Sequence, residues 1–421
     1  MAVSVLSAVK KILIKAAPIR IEGGAQHYAW GEQGSNAFIP QLLGTKAKKG
    51  ELFAELWLGA HPALPAQILE TKRSMSLDQL IKAAPEQVLG RASLKAFGPQ
   101  LPYLVKVLAV HTPLSLQAHP NKQQAIEGYR LENKRGITLG SPDRIYQDSN
   151  HKPELLIALT PFYALACFRP YAEIAQVLRR YPELKSILPS FPSQVNSVPK
   201  QSFWTRKLYR QIMLTKSFAI EPLSRALIAK IKAAHAQRPF AKKEIEYWML
   251  KADASFGPEQ SKDRALIAFL LLNLVELQKG KALYLEPGEL HTYLAGVGVE
   301  VMANSENVLR GGLTVKPVHI EPLLKIVSYN NRPPLTLKPD RAGRYYTPAK
   351  DFKIQLTRWR ASEKMRKKVS GAEILLLLAG RANVNGLNIK KGDALFVPAN
   401  VGFYEIKSLT QGTACLNCSV F

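Results

Sequence analysis

Histidine is a common ligand for divalent metals, and this chain of 421 residues has only eight. His119, His151 and His291 stand in strand-like stretches with polar faces. In LSLQAHPNKQQ (114–124), Leu114, Leu116 and Ala118 alternate with Ser115, Gln117 and His119, so an extended chain turns those three polar groups to one side. In HKPELLIALT (151–160), Lys152 and Glu154 share a face and His151 takes the other, while Pro153 must sit at a strand start or edge. Glu154 opens an otherwise apolar run, which predicts a buried carboxylate in need of a cation or strong donors. In EPGELHTYLAG (286–296), a Pro-Gly turn feeds a strand with His291 and Tyr293 on one face. Gln117, His119, Glu154 and His291 together make a two-nitrogen, two-oxygen donor set for a divalent ion. With a single carboxylate, a Zn²⁺-like ion keeps residual positive charge, which suits stabilising an oxyanion formed during a reaction. The spacings match no compact metal motif, so the fold has to assemble the set.

The elements that would do so fall into three blocks. From residue 19 to about 170 the pattern is mostly short apolar runs cut by Gly, Pro and Asn, with helical interruptions at SLDQLIKAAPEQVLG and NKQQAIEGYRL. Helical periodicity follows in YAEIAQVLRRYPELKSIL, SRALIAKIKAAHAQ, AKKEIEYWMLKA and DRALIAFLLLNLVELQKG, and ALIAFLLLNLVEL (265–277) has the length of a buried core helix. Strand patterns return at residue 282 and run to the end, with turn signals at Glu286-Pro287-Gly288 and Asn385-Gly386. A helical block between two β regions reads as an insertion. His27 and His61, in aromatic turn-rich strands, read as structural histidines, and His235 as a solvent-facing one. Tyr28, Trp30 and Trp57 read as core packing.

Composition narrows the function classes. No apolar run reaches membrane-spanning length. Three cysteines, Cys167, Cys415 and Cys418, argue against a disulfide framework and suit a reducing compartment, and the lone C-x-x-C reads as two strand-side thiols. A net charge of +26 invites a nucleic-acid reading, but the excess is spread along the chain with only short clusters, at 46–49 and 364–368. A generally cationic surface that attracts small anions fits better. The first twenty residues make a poor secretory signal and could form a short amphipathic helix.

YAWG (28–31), AELWLGAHP (54–62), LPYLVKVL (101–108), LSLQAHP (114–120), HKPE (151–154), PGELHTYL (287–294) and MANSENVLRGGLT (302–314) occur in this order and together resemble the type I mannose-6-phosphate isomerases (phosphomannose isomerases). The matches run from residue 28 to about 316 and weaken in the helical block and C-terminal stretch. The resemblance implies a mainly β chain with an inserted α-helical domain, built on cupin (jelly-roll) β-barrels. Its divisions would be an N-terminal extension (1–18), a catalytic cupin domain in two parts (19–170 and 281–335), the helical insertion (171–280) and a C-terminal cupin-like domain (336–421). It makes Gln117, His119, Glu154 and His291 the ligands of one Zn²⁺, with other divalent metals as substitutes. It places Ser115, Lys106 and Glu300 against substrate and gives Lys152 and Arg310 catalytic roles. Two positions depart from the family pattern: Glu306 stands for the usual aspartate, and Val315 for the usual proline of GLTPK.

The reaction implied interconverts mannose 6-phosphate and fructose 6-phosphate through a cis-enediol. It needs a base near C2, stabilisation of charge on the O1/O2 pair and a cationic hold on the phosphate. Sequence leaves the base open between a histidine or lysine of lowered pKa and a metal-bound water. The expected partner is a small sugar phosphate, with no specific nucleic acid and no membrane, for a cytoplasmic monomer. The rival readings are a non-catalytic cupin that senses a sugar phosphate or metal, and an Fe(II) oxygenase on the same barrel. Nucleic-acid binding driven by net charge is a third.

Overall fold

The computed structural model describes residues 15–70, 74–186, 191–256 and 263–420. The amphipathic helix expected at the N-terminus lies largely outside the described residues. No described helix is long and apolar enough to cross a membrane.

The larger of two main sheets has eleven strands, and the thirteen-residue strand His291–Ala303 organises it. Its second half, from Gly296, pairs antiparallel with Tyr103–Val110 on one side, and from Gly298 with Glu154–Ala158 on the other. Its first half pairs instead with Phe162–Phe168 and, at His291, with Leu116–Ala118. The exchange of partners falls at Gly296, whose φ is 123° and where an added Cβ would lie 2.6 Å from the Pro161 carbonyl oxygen. Only glycine fits that bend. Beyond it Leu309–Gly312 pairs with Leu116–Ala118. These strands bury nearly every side chain, which accounts for the near-continuous apolar runs in the sequence.

The second main sheet has seven strands and draws mostly on the C-terminal residues: Lys353–Trp359, Thr413–Ser419, Glu373–Ala379 and Ala394–Val397 follow one another across it. Ile19–Glu22, from the start of the described chain, joins the same sheet beside Ala394–Val397. Residues of both sheets share one apolar core, and the Tyr103 hydroxyl crosses it to donate to the Ala372 and Cys418 carbonyls at 3.1 and 3.0 Å. The Asn385-Gly386 turn is as expected: φ is 45° and 88°, the two-residue hairpin conformation that joins Arg381–Val384 to Leu387–Lys390. Cys415 and Cys418 lie in one strand, buried in different core clusters on opposite faces, so they are packing thiols. The basic cluster Lys364–Lys368 forms an edge strand, where charge discourages pairing with another chain.

Between the β regions lie the helices Tyr171–Arg180, Val198–Leu214, Ser217–Gln237, Ile245–Phe256 and Arg264–Phe269. The expected core helix over 265–277 is not continuous. Its first half is the helix Arg264–Phe269, and Leu272–Leu277 is a strand antiparallel to Phe162–Phe168. Phe162–Phe168 would otherwise be a sheet edge, and the hydrogen bonds it offers outweigh the local pattern of an apolar run that suits either conformation. Asn273 completes the fit by donating to the Ala166 and Cys167 carbonyls at 3.2 and 3.1 Å, where the ladder bulges and Cys167 takes φ 57°.

Candidate active site

The three-strand patch Leu309–Gly312, Leu116–Ala118 and His291–Ala303 sets the site. Gln117 is directly opposite Arg310 on one side and His291 on the other. Directly opposed residues of antiparallel strands turn to the same face with Cβ atoms about 5 Å apart. Arg310, Gln117 and His291 therefore form a row. His119 follows just beyond the strand end, and Glu154 enters from the first position of Glu154–Ala158. Donor atoms of His119, Glu154 and His291 lie within 4.8 Å of one another, all buried. His119 Nε2 is 3.3 Å from Glu154 Oε1, and His291 Nε2 is 3.4 Å from Glu154 Oε2.

Backbone carbonyls fix both tautomers. His119 Nδ1 donates to the Asn307 carbonyl at 2.7 Å and His291 Nδ1 to that of Glu289 at 2.8 Å. A carbonyl can only accept, so each Nδ1 carries a proton and the neutral ring turns the Nε2 lone pair inward. Burial, with the charge of Lys152 behind it, lowers the His119 pKa to about 4, which keeps that ring neutral. Both Nε2 atoms and Glu154 Oε2 are buried and lack a proper hydrogen-bond partner. Acceptors thus face acceptors in a dry pocket, an arrangement that a cation relieves. Asn307 is itself immobilised, donating to the carbonyls of Asp148 and Asn150 at 2.9 Å each.

The surrounding charges are arranged in layers. Lys152 Nζ is 3.1 Å from Glu154 Oε1. Burial alone would raise the Glu154 pKa, but Lys152 and the imidazoles hold it well below the usual carboxylate range. Trp57, Lys106 and Glu300 form a second cross-strand row. Lys106 Nζ lies 3.5 Å from Glu55, 3.6 Å from Glu300 and 4.8 Å from the Trp57 ring centroid. Burial disfavours the Lys106 ammonium, yet Glu55 and Glu300 outweigh it and raise its pKa. Tyr293 donates to Glu300 at 2.9 Å. Burial, then the nearby Glu154 charge, raises the Glu300 pKa.

Arg310 is half-buried, and burial lowers its pKa; it forms no ion pair among the described residues. Gly312, two positions on, has φ 138°, and a Cβ there would strike the carboxylate of Asp263, which caps the helix Arg264–Phe269 and accepts the Leu313 amide at 2.6 Å. That contact anchors the strand carrying Arg310. Ser115 is half-buried just ahead of Leu116–Ala118. His151 is not part of the cluster: its Nε2 meets Asp351 at 3.1 Å, as expected for the opposite face from Glu154. Tyr28 departs from the core-packing expectation, being 39% exposed and tilted against Trp30 with centroids 5.8 Å apart. Trp57 meets the core-packing expectation, buried with Leu104 and Met302, and its ring also faces Lys106 and donates to Glu55.

Glu306 has a specific contact. Its Oε1 is 3.3 Å from His61 Nε2, while His61 Nδ1 accepts the Ala63 amide at 3.2 Å. The neutral His61 ring therefore carries its proton on Nε2, the nitrogen that faces Glu306. Burial, reinforced by Lys106 and Lys152, lowers the His61 pKa to about 4 from 6.5. A histidine whose folded pKa is depressed contributes stability above its unfolded pKa and loses it as pH falls toward the folded value. Unfolding titrations between pH 7 and 4 should show a loss of up to roughly 3 kcal/mol from this residue. In His61→Gln that part of the slope should vanish; an unchanged slope would count against the assignment.

Sequence reading did not single out Glu55, Asp148 or Asn307. Glu55 had a signal, a carboxylate inside the apolar run FAELWLG, the same feature that marked Glu154. Asn307 had none, since its contribution is a backbone carbonyl.

The fold and the two-histidine, one-carboxylate pocket define a sheet-rich protein, with helices between its β regions and a buried site for a divalent cation. Residues 19–171 match the family model for the catalytic domain of type I phosphomannose isomerase. The chain is 34% identical to mannose-6-phosphate isomerase of Escherichia coli (strain K12) over 399 residues, 92% of this chain and 96% of that protein. It is 32% identical to the Homo sapiens mannose-6-phosphate isomerase, over 89% and 92% of the two chains. A zinc-bound crystal structure of mannose 6-phosphate isomerase superposes with a TM-score of 0.82 at 30% identity, over 96% of this chain and 99% of that one. This chain belongs to the type I mannose-6-phosphate isomerase family.

Proposed function

We propose that this protein is a zinc-dependent aldose–ketose isomerase that interconverts mannose 6-phosphate and fructose 6-phosphate through a cis-enediol. The observation that carries this reading is the confrontation of His119 Nε2, His291 Nε2 and Glu154 Oε2, all buried and without a hydrogen-bond partner. Together with Gln117, in register beside His291, they would hold the ion. When bound, zinc supplies Lewis-acid polarisation of the sugar oxygens.

The chain's own residues account for the remaining requirements. Arg310, a fork of donors with no carboxylate claiming it among the described residues, is suited to the phosphate or to the enediolate oxygens as charge develops. Lys152, beside Glu154, keeps that carboxylate ionised and is placed to move a proton near the metal face. Ser115, on the approach to Gln117, offers a hydroxyl to the sugar. Lys106 and Glu300, locked in the Trp57 row, shape the pocket wall and complete the substrate contacts. The pervasive positive charge, +26 overall, draws an anionic substrate in.

We assign the β regions to two cupin barrels with the helices 171–280 inserted in the first, with strand Leu272–Leu277 closing against the barrel. The reading is of a cytoplasmic monomer with no nucleic-acid role.

Stripping metal with a chelator should abolish conversion of mannose 6-phosphate in a coupled assay for fructose 6-phosphate, and stoichiometric Zn²⁺ should restore it. Full activity in metal-free protein would remove the metal from the reaction. Binding of the sugar phosphate without conversion by the zinc-loaded protein would favour the sensor reading.

A further inference from the structure

A second concave site lies away from the metal pocket, where the sheet meets the helices. It is a cleft of about 370 Å³, lined by Arg169, Arg180 and Lys243, by Glu173, Glu244 and Glu246, and by Asn273. Three cations therefore face three carboxylates, but the carboxylates are not equally available. Glu244 is taken from outside the cleft by Arg238, at 2.6 and 3.1 Å. Glu246 is buried, accepting from the Tyr181 hydroxyl at 2.6 Å and from Arg180 at 2.9 Å. Glu173 reaches Arg169 only at 3.8 Å. With Glu244 neutralised by Arg238, the cleft keeps one positive charge in excess, on Lys243, which is exposed and joins no ion pair among the described residues.

Arg169 is the anchor. Its side chain is 18% exposed, and its Nε is fully buried with no hydrogen-bond partner. Burial lowers its pKa, and the nearby Glu173 and Glu246 charges offset this only in part. The backbone beneath it is fixed from both sides: the Arg169 amide donates to the Leu271 carbonyl at 2.9 Å and Asn331 donates to the Arg169 carbonyl at 2.8 Å. A rigidly held, under-paired guanidinium at a cleft with excess positive charge is organised for an oxyanion, because little ordering remains to be done on binding.

We propose that this cleft is a second anion site, taking a phosphate or small phosphomonoester with its oxyanion on Arg169 and Lys243. The volume is that of a small-metabolite pocket, with room for an organic body beyond the phosphate. The site is independent of the isomerase pocket and uses none of its residues.

Calorimetric titration of zinc-loaded protein with inorganic phosphate should reveal two classes of site. In Lys243→Met, a surface change that leaves the fold intact, one class should weaken at least threefold. In Arg169→Met the same class should be lost, while the other class and kcat/KM for mannose 6-phosphate stay at wild-type values. A single class of site in the wild type, or two classes unaltered in Lys243→Met, overturns the proposal, and the Lys243 variant decides it even if Arg169→Met fails to fold.

Discussion

Replacing His291 by alanine, or Gln117 by leucine, is expected to abolish turnover in a protein that still folds. On the proposed ligand set each change deletes one bond to the ion, and the two residues are directly opposed in the ladder. The fall in kcat should be at least about a thousandfold, equivalent to about 4 kcal/mol of lost transition-state stabilisation. Folding should survive because the His291 ring is not part of the apolar core and its one hydrogen bond goes to the Glu289 carbonyl. In Gln117→Leu the volume is nearly conserved and the ladder bonds of Leu116–Ala118 are untouched. Zinc content by elemental analysis, thermal melting and the coupled assay, taken on the same samples, check this. A variant that kept both stoichiometric zinc and normal turnover would remove that residue from the ligand set.

Arg310→Ala should behave differently: zinc content unchanged, kcat reduced by about two to four orders of magnitude. The distinction follows from position. Arg310 adjoins Gln117 in the strand row but offers only donors, so it cannot bind a cation, and no carboxylate among the described residues neutralises it. Its partly desolvated charge is available to a substrate anion, where such contacts are strongest. Arg310→Lys should recover only part of the loss, since an ammonium keeps the charge without the planar fork. A normal kcat in the alanine variant, with KM alone raised, would restrict Arg310 to ground-state binding.

The sequence and the structure agree closely where a residue's local pattern already showed its need. Glu154 opening an apolar strand required a cation nearby, and Lys152 at i−2 was expected on the same face; the two lie 3.1 Å apart. His151, on the other face, points away to Asp351. The helical beat of SRALIAKIKAAHAQ appears as the buried stripe Ser224, Leu227, Ile228 and Ile231 of Ser217–Gln237. Agreement fails where long-range pairing decides. The apolar residues 265–277 satisfy helix and strand alike, and only the unpaired edge of Phe162–Phe168 makes the second half a strand. Tyr28 resembles any strand aromatic until its surroundings, Glu55, Lys106, Glu306 and Arg310, prove to be charged. The departure at Glu306 could be seen in sequence, but its partner could not: His61 is far off in the chain, and the longer carboxylate meets its Nε2.

From its own letters this chain declared which side chains could bind a metal, which strand faces they shared, and the ordered motifs of its family. What the letters left open was convergence. Gln117, His119, Glu154 and His291 come from three separate segments, and each segment's periodicity constrains only its own face. The ladder across Leu116–Ala118 and His291–Ala303, with the bend at Gly296, brings those faces together. Hydrogen-bond register between distant strands is a property of the whole sheet, so tertiary structure alone determined that the imidazole nitrogens and the carboxylate meet.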